Sequence, residues 1–138
     1  MTKDNYEAHF QIAGPLEEQG RLNEAFYHCS EALRIKPDWA KPMNNLAWYL
    51  AVRKETAIRN PQKAVRLARQ ACEITAYKEP EALDTLAVSY AAIGAFGEAV
   101  KIEEKALELC RSGEQKALKE EIKKRLVLFK AGKVYIED

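Results

Sequence analysis

No apolar run in this 138-residue chain approaches the ~20 residues that a membrane-spanning helix needs, so this segment is not expected to enter a bilayer. The opening MTKDNYEAHF is polar and does not read as a signal peptide, and a cytoplasmic location is the expectation. Neither charge dominates: 22 basic against 21 acidic residues leave +1, which gives no argument for a nucleic-acid or strongly acidic partner. Cysteine is scarce. Cys29, Cys72 and Cys110 are odd in number and far apart, which fits neither a disulfide framework nor the close pairs of a zinc site. They read instead as small buried side chains in a reducing compartment. No alternating strand pattern is present, and Ala, Leu, Glu and Lys are abundant, so the fold class is all-α. Chemistry is lacking too. There is no Gly-rich phosphate loop and no serine nucleophile motif, and His9 and His28 have no carboxylate pair or cysteine set phased to them. No catalytic residue, cofactor or metal is expected.

What the chain does contain is a pattern written three times. The segments LNEAFYHCSEAL, PQKAVRLARQAC and FGEAVKIEEKAL each carry alanines seven apart: Ala25 and Ala32, Ala64 and Ala71, Ala99 and Ala106. Ahead of each stands an aliphatic residue followed by alanine: Ile12–Ala13, Leu46–Ala47 and Leu86–Ala87. The first signal advances by 34 and then 40 residues, the second by 39 and then 35. A two-helix unit recurring near this period defines a solenoid, in which each unit buries its apolar face against the next. The distance between the two signals is 12, 17 and 12 residues, so the middle unit holds five extra residues, placed within 53–60.

One domain, 1–138, is expected, with units at about 6–37, 40–78 and 80–111 and a seventh helix at about 113–131. Gly20 and Gly94 end the first helices of units one and three, and Pro37 closes the second helix of unit one. Asp38 is the expected cap of the third helix; Asn60–Pro61 starts the fourth and Pro80 the fifth. Ser112 to Gln115 reads as a capping box for the seventh. That helix carries Leu118, Ile122, Leu126 and Phe129 on one side and Lys119, Glu120, Lys123 and Lys124 on the other, as a cover for the last unit would. Val134, Tyr135 and Ile136 are expected to fold back on it. Gly14–Pro15 falls inside the first helix, where a kink or a late start is expected.

These residues resemble the tetratricopeptide repeat. Unit one supplies His9, Ile12, Ala13, Leu16, Gly20, Ala25, Ala32 and Pro37; unit three supplies Leu83, Leu86, Ala87, Tyr90, Gly94, Phe96, Ala99 and Ala106. Unit two supplies Met43, Leu46, Ala47, Leu50, Ala64 and Ala71 but lacks the turn glycine and the closing proline. NNLAWYLA and the ending KRLVLFKAGKVYIED are also similar to the C-terminal portions of larger bacterial repeat proteins. The resemblance implies a right-handed solenoid of three antiparallel helix pairs plus a capping helix, and a concave groove lined by the first helices.

By phase, the groove residues are Phe10, Gln11, Asn44, Asn45, Trp48, Asp84 and Thr85, with Glu7, Gly14, Glu17, Lys41, Ala51, Glu81 and Val88 beside them. Asparagine amides can grip an extended backbone, and Trp48 can anchor a side chain. Some members of the family clamp a terminal carboxylate with Lys, Asn and Arg. Here Phe10, Gly14, Glu81 and Thr85 stand at those places and only Asn45 fits, which argues against that role. The acids Glu7, Glu17, Glu81 and Asp84 favour a basic partner segment. The cluster Arg53, Lys54, Arg59, Lys63, Arg66 and Arg69 lacks interleaved aromatics and reads as a solvated surface, with no nucleic acid expected. The leading expectation is therefore a non-enzymatic module that binds a protein or peptide segment. The alternatives are a scaffold of copies stacked through an uncapped first unit, or the regulatory tail of a larger enzyme.

Overall fold

The computed structural model describes residues 5–54, 58–111 and 113–137. These form seven helices: α1 (Tyr6–Glu18), α2 (Leu22–Ile35), α3 (Ala40–Val52), α4 (Pro61–Ile74), α5 (Pro80–Ala92), α6 (Phe96–Leu109) and α7 (Lys116–Lys130). The pairs α1/α2, α3/α4 and α5/α6 pack most closely, and α3, α4 and α5 continue the stack across units. The repeated alanines explain the closeness. Ala25, Ala32, Ala47, Ala64, Ala71, Ala87, Ala99 and Ala106 are fully buried, and Ala13 nearly so. A larger side chain at a helix crossing would wedge the pair apart. Ile12 departs from the pattern: it is 43% exposed, whereas Leu46 and Leu86 are buried, because α1 has no earlier unit against it among the described residues.

Gly20 and Gly94 end α1 and α5 in the left-handed region, at φ 77° and 83°. There the amide of the following residue returns to a carbonyl five residues back (Arg21 to Leu16, 2.8 Å; Ala95 to Tyr90, 2.9 Å). A β-carbon would strain this turn. Unit two solves both of its chain reversals differently. At the end of α4, Ala76 and Tyr77 themselves take left-handed values, φ 57° and 56°, and the Tyr77 amide bonds the Cys72 carbonyl at 2.7 Å. At the end of α3, the last carbonyls are met by long-range donors: the Asn60 amide on Leu50 (2.9 Å), the Arg59 guanidinium on Ala51 (2.5 Å) and the Glu137 amide on Val52 (2.8 Å). The extra residues of this unit therefore sit at a helix end that has no glycine. Residues 55–57 of that stretch lie outside the described residues.

Asn60 caps α4 as its sequence indicates, accepting from the Lys63 amide at 3.2 Å with Pro61 behind it, and Pro80 opens α5. Three local expectations need correction. Trp39, not Asp38, is the cap of α3, and no side chain bonds there; Trp39 is drawn in by the rings of Tyr6 and Phe10. α7 begins at Lys116 rather than near residue 113, because the Gln115 side chain accepts from the Arg111 amide (2.9 Å) in a turn ahead of the helix. Ser112, the other half of the expected capping box, lies outside the described residues. α1 runs as one helix through Pro15 from Tyr6, so there is no late start.

α7 lays Ile122, Leu126 and Phe129 against the last unit, all buried. The cysteines are buried and unpaired, Cys29 and Cys72 within α2 and α4 and Cys110 just past α6. Burial pushes the Cys29 thiol up to about 11 and Cys72 up to about 12, which removes their nucleophilic thiolate at neutral pH. His9 and His28 meet across α1 and α2 with their Nδ1 atoms 2.8 Å apart, one donating and the other accepting, as packing partners between helices.

Candidate functional site

The first helices α1, α3 and α5 face one side of the stack, and α7 with the residues after it closes that side at the third unit. Two adjoining depressions result, of about 570 and 230 Å³. Asn44, Asn45 and Glu81 line both and mark their common floor.

The larger depression opens towards the first unit. Phe10 forms its wall, packed on Trp39 at 4.9 Å, and Tyr6 meets Trp39 edge-on at 5.4 Å. Lys36 lies 5.2 Å from the Tyr6 ring, a cation over an aromatic face. Trp39 is a site residue the sequence pattern does not single out; its signal is its place two residues beyond Pro37, which closes α2, opposite an aromatic pair on α1. Lys41, Glu79 and Glu81 supply the charge. Gln11 is exposed on α1 and lines neither depression.

Asn44 is half-buried, and its amide oxygen is shut from solvent with no hydrogen-bond partner among the described residues. Its neighbour Asn45 hydrogen-bonds the Cys29 thiol, which offsets part of the rise that burial imposes there. Glu17, from α1, accepts a hydrogen bond from the Tyr49 hydroxyl at 2.5 Å. Burial and then that carboxylate push the Tyr49 phenol far above its usual range.

The smaller depression ends at a wall of charge. Asp84 is 3% exposed and forks to Arg125 of α7, with Oδ1 to Nε at 3.0 Å and Oδ2 to Nη2 at 2.8 Å. Asp84 therefore contributes only its buried flank to the groove; its charge is spent on α7. Thr85 is also buried, and its hydroxyl donates to the Glu81 carbonyl at 3.1 Å. Val88, expected along the groove, is buried as well, because α5 is enclosed by α3, α4, α6 and α7 and all of residues 82–89 are buried; Ala51, also expected there, is fully buried on α3. Below Asp84 lies Glu103 of α6, fully buried, with both carboxyl oxygens unpartnered among the described residues. Burial, and then the Asp84 charge, hold its carboxyl well above the ordinary carboxylate range.

Trp48 is not a free anchor. The Arg125 guanidinium lies 5.2 Å from its ring and 5.0 Å from that of Tyr135, and the two rings are 5.7 Å apart. The Trp48 indole N–H donates to Glu137 at 3.3 Å, and the Tyr135 hydroxyl donates to the other Glu137 oxygen at 3.2 Å. The residues after α7 thus fold back beyond their own helix, onto α3. Arg125 was missed in the sequence because it sits between Ile122 and Leu126 as one more basic residue of a basic helix. The available signal was Asp84, a lone acid in the apolar run ALDTLAVSYAA, which burial obliges to find a cation. The basic cluster of unit two is also partly internal: Arg53 is buried and Arg59 caps α3, while Lys63, Arg66 and Arg69 are exposed.

Stacked helix pairs with a concave face and a covering last helix define a helical solenoid. Residues 81–112 match the family model of the tetratricopeptide repeat. The fold is similar to that of the N-terminal domain of stress-induced protein-1 (STI-1) from C. elegans, with a TM-score of 0.59 and 19% identity, covering 87% of this chain and 95% of that chain. No curated protein matches in sequence. Residues 81–112 are thus similar to the tetratricopeptide repeat, and the fold of the chain is an all-α helical solenoid. No described helix is long and apolar enough to cross a membrane.

Proposed function

We propose that this chain is a non-catalytic module that holds an extended, basic protein segment in the larger depression, across Asn44, Asn45 and Glu81. The observation that carries this reading is the Asn44 amide oxygen, an acceptor closed off from water and without a donor among the described residues. An unmet buried acceptor costs about 1–3 kcal/mol, and rotation of the half-buried Asn44 amide towards an N–H or ammonium group of a bound segment recovers that cost. Glu17, Glu79 and Glu81 stand around it against Lys41 alone, since Arg125 is committed to Asp84. That balance selects a cation. Phe10 and Trp39 supply an apolar wall for the stem of a lysine or arginine. The scaffold alternative needs an apolar end face, and among the described residues α1 and α2 offer only two exposed large apolar side chains, Ile12 and Tyr27.

Binding of lysine- and arginine-bearing peptides, followed by fluorescence anisotropy, tests this. Glu81→Lys and Asn44→Ala are each expected to weaken binding about tenfold or more, roughly 1.4 kcal/mol, and acidic peptides are expected not to bind. Equal affinity for basic and acidic peptides, or affinity unchanged in both variants, would sink the reading.

A further inference from the structure

The residues after α7 hold the α3 face by alternate side chains and by the Glu137 backbone. Tyr135 packs at a tilt against the Trp48 ring with Arg125 over its face, and Glu137 accepts from the Trp48 indole while its amide bonds the Val52 carbonyl. Val134 and Ile136, between and beside them, are 39% and 36% exposed. This is an extended segment with one face bound and one face apolar and open. Its backbone also pairs, at Arg53 and Glu137, as a single parallel bridge. The seat itself is built by the repeat: Trp48 and the Val52 carbonyl belong to α3, and the Asp84 fork fixes Arg125 independently of the tail. A prebuilt seat whose occupant is a short segment open on one face is a surface on which occupants can exchange.

We propose that the Trp48–Val52 face of α3 is a second segment-binding surface. The chain's own residues 133–137 hold it when no partner does, and a partner displaces them with an extended segment bearing an aromatic residue followed two positions later by a carboxylate. Each element of that description answers a group on the page. The aromatic ring replaces Tyr135 between Trp48 and Arg125, the carboxylate replaces Glu137 on the indole N–H, and a backbone N–H replaces the Glu137 amide on Val52. The inference does not rest on the basic-segment reading, because it concerns the opposite end of the groove and the opposite charge.

The test uses the full chain and a synthetic acetylated peptide of sequence Lys-Val-Tyr-Ile-Glu. In a Tyr135→Ala, Glu137→Ala double variant shown by circular dichroism to be folded, the peptide should shift the Trp48 indole N–H resonance. The unsubstituted chain should bind it about tenfold more weakly, because its own tail competes. A peptide with alanine at the Tyr and Glu positions should bind neither. The proposal is overturned if millimolar peptide leaves the Trp48 resonance of the double variant unmoved, or if both chains bind it equally. Hydrogen exchange on the unsubstituted chain gives an arm independent of folding: the Glu137 amide should exchange about a hundredfold faster than the amides of α5, by detachment of the tail alone. Exchange of both at one common rate contradicts a detachable tail.

Discussion

Three side chains, Asp84, Glu103 and Arg125, bring two acids and one base into the interior where α5, α6 and α7 meet. The bidentate fork pairs Arg125 with Asp84, and Glu103 is left beside a carboxylate that already has its cation. Glu103 therefore keeps a proton in the folded chain that it gives up in the unfolded one. Its folded pKa is raised, so its contribution to stability is full below the ordinary carboxylate range and falls as pH rises from there towards the raised value. Glu103→Gln, which is neutral at every pH, should raise stability at pH 7 by about 1–3 kcal/mol and flatten the dependence between pH 5 and 8. Urea denaturation at several pH values measures both. A variant as pH-dependent as the parent would show that Glu103 is ionised in the fold. The gain is expected to leave the groove intact, because Glu103 lines neither depression.

At the scale of the element, the second unit departs from its neighbours at both helix ends. α1 and α5 stop on glycines that enter the left-handed region freely, whereas α4 stops on Ala76 and Tyr77 at positive φ. An L-residue with a β-carbon pays about 1–2 kcal/mol for that conformation. Ala76 is exposed, so its methyl group gains little packing in return. Ala76→Gly should accordingly stabilise the chain, by about 1 kcal/mol after the entropy of the more flexible unfolded glycine is counted, and thermal unfolding reads the shift directly. A loss of stability instead would mean that the turn does not hold this conformation in solution. The end of α3 shows the other solution: its last carbonyls draw donors from Asn60, Arg59 and Glu137. A missing glycine thereby ties the C-terminal residues to the middle repeat, which no pattern in either segment announces.

Across the whole molecule the apolar interior is unevenly shared. One large cluster joins α3, α4, α5, α6 and α7, and a smaller one joins α1 and α2 to Leu46 and Tyr49 of α3. In a stack where each unit touches only its neighbours, stability follows the number of covered faces. α1 has one such neighbour pair, carries Pro15 within its length and leaves Ile12 exposed; α5 is enclosed on every side. Native-state hydrogen exchange should thus find the amides of α1 opening about tenfold or more faster than those of α5 and α6. Uniform protection from α1 to α6 would instead mark a single cooperative unit. The same asymmetry explains how far the site was legible. Phe10, Asn44, Asn45, Trp48, Asp84 and Thr85 have the phase that places them along the two depressions, but Asp84 and Thr85 are buried there because α7 closes over their helix, which phase alone does not reveal.

By itself the sequence determined the period, the helix pairs and the alanine crossings, because these depend on local propensity and on spacings of three, four and seven residues that any reader of one dimension can count. It also placed α7 as a cover, since an amphipathic stripe after the last repeat has only one apolar face to meet. Only the tertiary structure decided what the groove is. The Arg125–Asp84 fork spans 41 residues of sequence and the Trp48–Glu137 bond spans 89. Contacts at such separations are set by how helices stack and by which buried charges must find partners, and no local pattern encodes them.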